Sequence, residues 1–230
     1  YKYIITPKDS NDSTDDNKHD SNDATEDNKK QDLNKEDNKK QDSNVSKTYK
    51  IGDRFYLKSE CFYVIKDNGT TVDALAKQNV NTETNRQDSN ANTLAFAELI
   101  NRRGYWTDSE RNLLSKYGTS YPANVFDSNS LLYAPTQNYK TYLKNTLGKA
   151  SIDARLITYE ELISLGCNMN ENSCTPAPSW VYSTWYWTAS ADGISSVWVV
   201  RSDGGLTIAN FFGSKSNGLR PVITISKSDI

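Results

Sequence analysis

The last fifty residues most tightly constrain what this chain can fold into. Three short apolar or aromatic runs, Tyr186-Trp187-Thr188-Ala189-Ser190, Val197-Trp198-Val199-Val200 and Gly218-Leu219-Arg220-Pro221-Val222-Ile223, are separated by Asp192-Gly193 and Asp203-Gly204-Gly205. Asp-Gly between apolar runs is a strong hairpin signal, because Gly accepts the positive φ of tight turns. The pattern predicts an antiparallel meander that closes the chain on a buried strand.

Residues 7–46 are of the opposite character. Leu33 is their only large apolar side chain before Val45, and they carry twelve acidic and seven basic groups, a net charge of −5. Such a segment cannot bury enough apolar surface to offset its ordering entropy, so it is expected to be a disordered tether. Glu26-Asp27-Asn28-Lys29-Lys30-Gln31-Asp32 returns ten residues later at Glu36 to Asp42. These copies lack the apolar positions a solenoid would stack, so they read as tether length rather than as a repeat fold. Residues 1–6 begin Tyr-Lys-Tyr-Ile-Ile and read as the remnant of a signal or membrane segment. The expected organisation is therefore a remnant (1–6), a tether (7–46) and one folded domain (47–230). That domain is close to neutral and shows no clustered basic face, so nucleic acid is not an expected partner.

Within the domain, strands are expected at Arg54–Leu57, at Cys61-Phe62-Tyr63-Val64-Ile65 and from Thr71 to Ala76, with a turn at Asp67-Asn68-Gly69. Asn92 caps a helix expected over residues 93–101, and Thr107-Asp108-Ser109-Glu110 has the capping-box form. A third helix is expected over residues 137–147, ended by Gly148. Ala154-Arg155-Leu156-Ile157 reads as a strand, and Thr158-Tyr159-Glu160-Glu161 as a second capping box on a helix ending at Gly166. Strands at both ends with helices between them predict an α+β domain whose sheet joins the chain ends.

Cys167 and Cys174 enclose a six-residue polar loop that a disulfide could close; two free thiols are the alternative. The gap is too long for a zinc knuckle, and the only His lies in the tether. Cys61, in an apolar run, is expected to be a buried free thiol. No phosphate-binding glycine loop occurs, and the domain has no His for a nucleophile pair.

The order W-T-x-S, x-W-x-V, G-x-R-P-V resembles the C-terminal half of bacterial C-type-lectin-like domains. Ala154-Arg155-Leu156-Ile157-Thr158-Tyr159-Glu160-Glu161-Leu162 is similar to the R-L-P-T-x-x-E motif of the formylglycine-generating family, and Gly218-Leu219-Arg220 to that family's terminal G-F-R. The same motif pair flanks diversified receptor-binding proteins and bacterial surface domains ending in G-V-R-P-V-I-T. The resemblance covers residues 150–230 best, is weaker over 47–150 and absent from the tether. It implies a C-type-lectin-like fold and a membrane-anchored, extracellular module that recognises a protein or glycan ligand. A pilus-like minor subunit is the alternative. The enzymes of the family use a closely spaced C-terminal cysteine pair, and no cysteine occurs between Trp180 and Ile230. No catalytic residue is therefore assigned; an enzyme, either a glycosidase built on Glu160 and Glu161 or a formylglycine-generating-like one, is the second alternative. The calcium motifs of animal C-type lectins are also missing. No cofactor is expected; Asp192, Asp203 and Asn210 are the candidate oxygens were calcium bound.

Expected ligand-contact residues are Asp192, Ser195 and Ser196 in one loop and Asn210, Phe212, Lys215 and Asn217 in the next. Trp180, Tyr182 and Tyr186 are expected as exposed stacking surfaces. Trp187 is expected in the core with Trp198 beside it, and Arg155 and Arg220 as inward-directed structural cations.

Overall fold

Period-two burial runs through β1 (Arg54–Leu57), where Phe55 and Leu57 point inward and Arg54 and Tyr56 outward. The computed structural model describes residues 47–97, 121–193, 196–210 and 217–230, which fall within a single unit, Asn44–Ile230. The tether, the N-terminal remnant and the helix expected from Thr107 lie outside the described residues.

After β1 come β2 (Glu60–Asp67), β3 (Thr71–Ala76), β4 (Val80–Asn81), β5 (Arg86–Gln87) and β6 (Ala123–Asn124). Then follow α1 (Tyr133–Asn145), β7 (Ile152–Leu156), α2 (Tyr159–Ser164), β8 (Tyr186–Gly193), β9 (Ser196–Val200), β10 (Leu206–Asn210) and β11 (Pro221–Ser226). The class is mixed α and β, dominated by sheet.

β1, β2 and β3 form an antiparallel meander. Its second turn is held where the sequence predicts: the Asp67 carboxylate accepts from Gly69 N–H at 2.8 Å, and Gly69 sits at φ +87°. β11 then inserts between β3 and β7, antiparallel to both, with Ile223 opposite Ala74 on one side and Ala154 on the other. The five-stranded order is β1-β2-β3-β11-β7, so one sheet joins both ends of the domain. The second sheet has the order β10-β9-β8-β6. The predicted C-terminal meander is thus confined to β8, β9 and β10, and the final strand leaves it for the other sheet. Val222 and Ile223, on opposite faces of β11, are both fully buried, as in a central strand covered on both sides. Pro221, which has no N–H to donate, is its first residue.

Gly218 sets where that exchange happens. Its N–H donates to Trp185 O and its carbonyl accepts from Trp187 N–H, both at 3.1 Å. A Cβ at Gly218 would lie 2.7 Å from Trp185 O and closer still to the Asn79 amide. Only glycine lets the two backbones approach this closely.

Two cores result. One lies against α1 and unites Phe62, Val64, Ala74, Ile223, Tyr139 and Leu143 with Trp187 and Val199. The other packs α2 and the Cys167–Cys174 disulfide against Ile65, Leu75, Val222, Tyr186, Trp198 and Val200. Cys61 is a buried free thiol.

Two helices differ from the sequence reading. α1 begins at Tyr133 rather than Gln137. Pro135 falls in its first turn, where a missing N–H costs no hydrogen bond. Residues 93–97 are not helical: Leu94 exchanges two backbone hydrogen bonds with Asn217, and its carbonyl also accepts from Trp187 Nε1 at 2.7 Å. Asn92 binds Thr82 instead, accepting from its N–H and donating to its Oγ1. Tertiary pairing outweighs the local periodicity there. The capping box of α2 forms as predicted, with Thr158 and Glu161 satisfying each other's amides.

Candidate functional site

Arg155 sits on β7 beside the start of α2. Its guanidinium grips both oxygens of Glu161, at 2.8 and 2.5 Å, and lies 3.4 Å from Asp73. Glu161 is at once the capping residue of α2 and the anchor of this fork. The pair ties helix to sheet, and it occupies one of the two carboxylates on which a glycosidase reading would rest.

Arg220 is fully buried. Nε donates to Ala76 O at 2.7 Å, Nη1 to Val181 O at 2.8 Å and Nη2 to Trp180 O at 2.7 Å. The guanidinium also lies over the Tyr186 ring, 5.0 Å from its centroid. Backbone carbonyls and a π face replace its water, and burial lowers its pKa from the ordinary value. The planar donor fork suits this three-way clamp on the end of β3 and the loop before β8.

The aromatic residues divide differently from the sequence reading. Trp187 is fully buried and meets Phe96 edge to face at 5.6 Å. Trp198 does not lie beside it: neighbours along a strand face opposite ways, and Val199, not Trp198, pairs with Trp187. Trp198 joins the second core and tilts against Tyr159 at 5.8 Å. Tyr186 is not a surface group either. It is fully buried, donates to Val181 O at 2.7 Å, and burial pushes its hydroxyl up to about 12. Both faces of β8 are covered, so the expected alternation of core and solvent fails there. Trp180 stacks on Tyr63 at 4.8 Å, and both Trp180 and Tyr182 pack, partly exposed, on the second core. Among the described residues the exposed tryptophan is Trp185, with the Arg201 guanidinium 5.1 Å from its ring.

The expected contact loops are partly described. Ser196 is in register with Gly193 on β8 and with Asn210 on β10. Asp192, Ser196 and Asn210 therefore lie side by side at one end of the four-stranded sheet. Asp192 and Asn210 are exposed there, and partial desolvation raises the Asp192 carboxyl. Ser195, Phe212 and Lys215 lie outside the described residues. Asn217 does not belong to this surface: it is buried and paired with Leu94. Nor do Asp192, Asp203 and Asn210 converge on one ion. Asp203 is in the β9–β10 turn, bound to Arg201 and Gly205 N–H, at the far end of β10 from Asn210. Four residue steps separate the ends of β10, about 13 Å at ~3.3 Å each. Among the described residues, no group of three His, Cys, Asp or Glu is placed to hold a metal.

One charged cluster was not anticipated. Glu60, at the head of β2, is 1 % exposed. It accepts from Tyr139 O–H at 2.9 Å and Gln87 N–H at 3.0 Å, while Arg86 Nε stands 3.8 Å away. Burial raises the Glu60 carboxyl, and burial together with the Glu60 charge pushes the Tyr139 hydroxyl well above its ordinary range. A signal for it exists: Glu60 is in phase with Phe62 and Val64, so alternation turns it inward.

The Cys167–Cys174 disulfide fits an oxidising compartment. No helix among the described residues is long and apolar enough to cross a membrane. Comparison with protein-family models, curated proteins and solved structures found no match to this chain.

Proposed function

We propose that this chain is a non-catalytic recognition module of C-type-lectin-like fold. In this reading it is displayed outside the cytoplasm behind the polar segment 7–46 and engages a protein or glycan through the β8–β9 end of its four-stranded sheet. The observation that carries the reading is the register of β8, β9 and β10. It aligns Asp192, Ser196 and Asn210 at one solvent-facing end, while Arg220, Tyr186 and Trp187 are buried and the half-buried Arg155 is held by Glu161. Side chains held at the end of a covered sheet can vary without disturbing the core, which is what a recognition surface needs. The joining of the first three strands to β11, with helices between, supports the fold part of the reading, and the disulfide supports the extracytoplasmic part.

The test is a combined protein and glycan array probed with the full chain, followed by the double variant Asp192→Lys/Asn210→Lys. Binding should fall at least about tenfold, a loss of ~1.4 kcal/mol, with the melting temperature unchanged. A double variant that binds as well as the parent places the contact surface elsewhere.

A further inference from the structure

α1 carries two stripes. Thr136, Tyr139 and Leu143 are buried against the sheet. Beside them Asn138, Thr141, Tyr142 and Asn145 follow the i, i+3, i+4, i+7 spacing that places four side chains on one face of a helix. That second stripe, with Thr146, forms one wall of a surface recess of about 320 Å³, and Thr84 and Asn85 of the β4–β5 turn form the other. We propose that this recess binds an uncharged, polyhydroxylated ligand, at a site separate from the β8–β9 end of the other sheet.

Four observations lead to that chemistry. First, the lining side chains are all neutral: three primary amides, three threonine hydroxyls and one phenol. Amides and hydroxyls both donate and accept, as the hydroxyl groups of a polyol do. A charged ligand would meet no counter-charge in the lining, and the nearby Arg86 is already engaged by Ser59 at 2.8 Å and faces the Glu60 carboxylate.

Second, Asn85 Oδ1 is buried without a hydrogen-bond partner. An acceptor left so is costly, and because no solvent reaches it, pairing it with a ligand donor requires the Asn85 amide to turn toward the recess it lines. Asn85 is also held at φ +52°, a left-handed conformation in which asparagine is one of the few residues at ease. Third, Tyr142 contributes a ring, a flat apolar surface for the C–H face of a cyclic polyol. Fourth, a buried hydrogen-bond network backs the wall. Directly behind it Tyr139 O–H donates to Glu60, Gln87 Nε2 donates to Tyr139 Oη at 3.1 Å, and Gln87 N–H donates to Glu60. A satisfied buried network of this kind fixes the elements that carry the lining side chains. The volume lies at the lower end of the ~300–1,000 Å³ usual for small-molecule sites, suited to about one ring.

The experiment follows backbone and side-chain amide resonances of the full 230-residue chain during titration. The probes are glucose, galactose, mannose and N-acetylglucosamine, with sorbitol as an open-chain polyol and glucosamine and glucuronate as charged analogues. Expected are saturable shifts at Asn85, Asn138 and Asn145 with at least one neutral probe, in the range up to roughly 50 mM. The charged analogues should bind at least about tenfold more weakly. Preference for a ring sugar over sorbitol identifies a saccharide; the reverse identifies a linear polyol. Asn85→Gly, which keeps the left-handed turn but deletes the orphan acceptor, and Asn138→Leu/Asn145→Leu, on an exposed helix face, should each weaken binding by a similar factor while the spectrum stays folded. No saturable shift with any neutral probe, equal response to the charged analogues, or undiminished binding by either variant overturns the proposal.

Discussion

Replacement of Arg220 tests how the two ends of the domain are held together. The wild-type guanidinium makes three charge-assisted bonds to backbone carbonyls, each about 1.5–3 kcal/mol. Burying the cation opposes this by several kcal/mol. Two of the acceptors keep other donors, since Tyr186 O–H reaches Val181 O at 2.7 Å and Ser183 Oγ reaches Trp180 O at 3.3 Å. Arg220→Ala therefore loses the clamp but leaves only part of the carbonyl set exposed to desolvation cost. It also opens a void among fully buried neighbours. Together these predict a loss of about 2–4 kcal/mol. Arg220→Lys retains the charge, but one ammonium on a thin stem cannot span three carbonyls and leaves the Tyr186 ring uncovered, so it should lose nearly as much. Arg220→Met fills most of the volume without a buried charge and should be the mildest of the three. Urea unfolding at pH 7 measures the order. If Arg220→Met is the most damaging, or if all three variants keep parental stability and lose only ligand binding, Arg220 is not a structural clamp.

Glu60→Gln keeps an acceptor for Tyr139 while removing a buried charge, and it should be neutral or stabilising by about 1 kcal/mol at pH 7. Because burial raises the folded-state carboxyl above its ordinary 4.5, the parent is favoured at low pH and loses ground to the variant as pH rises through the raised value; parallel stability curves from pH 4 to 8 would refute this. Asp67 behaves oppositely. Its side-chain bond with Lys227, with help from the Tyr49 and Gly69 amides, pulls its carboxyl from 3.8 to about 2. Its contribution is complete above pH 3.8 and is lost as pH falls through about 2, so Asp67→Asn should flatten the acid limb of the unfolding curve. Removing the disulfide through Cys167→Ser/Cys174→Ser releases a seven-residue separation and should cost about 2.5 kcal/mol of stability by chain entropy, read as an equal loss when the parent is unfolded under reducing conditions. Gly218→Ala forces Trp185 O or Asn79 to move and should lower the melting temperature by several degrees, about 1–3 kcal/mol; an unchanged melting temperature would show that the close approach relaxes freely.

The sequence alone determined what depends on neighbours along the chain. The β2–β3 turn needs only Asp67 and Gly69, and the α2 cap only Thr158 and Glu161, so both were legible. The inward Arg220 was legible too, from its place in the Gly-Leu-Arg-Pro motif, but not that its partners would be the carbonyls of Ala76, Trp180 and Val181. What sequence could not show is which element covers each face. Alternation along β8 leads one to expect one wet side, yet α2 and the loop carrying the disulfide cover the face that holds Tyr186. The helix expected after Asn92 gave way to a pairing of Leu94 with Asn217, more than a hundred residues away. The recess beside α1 depends on a turn at Thr84 and Asn85 meeting a helix some fifty residues later. Local hydrogen bonds and capping act within a few residues and are written in sequence. Packing partners are chosen by the burial of whole faces against one another, and that choice exists only once the chain has folded.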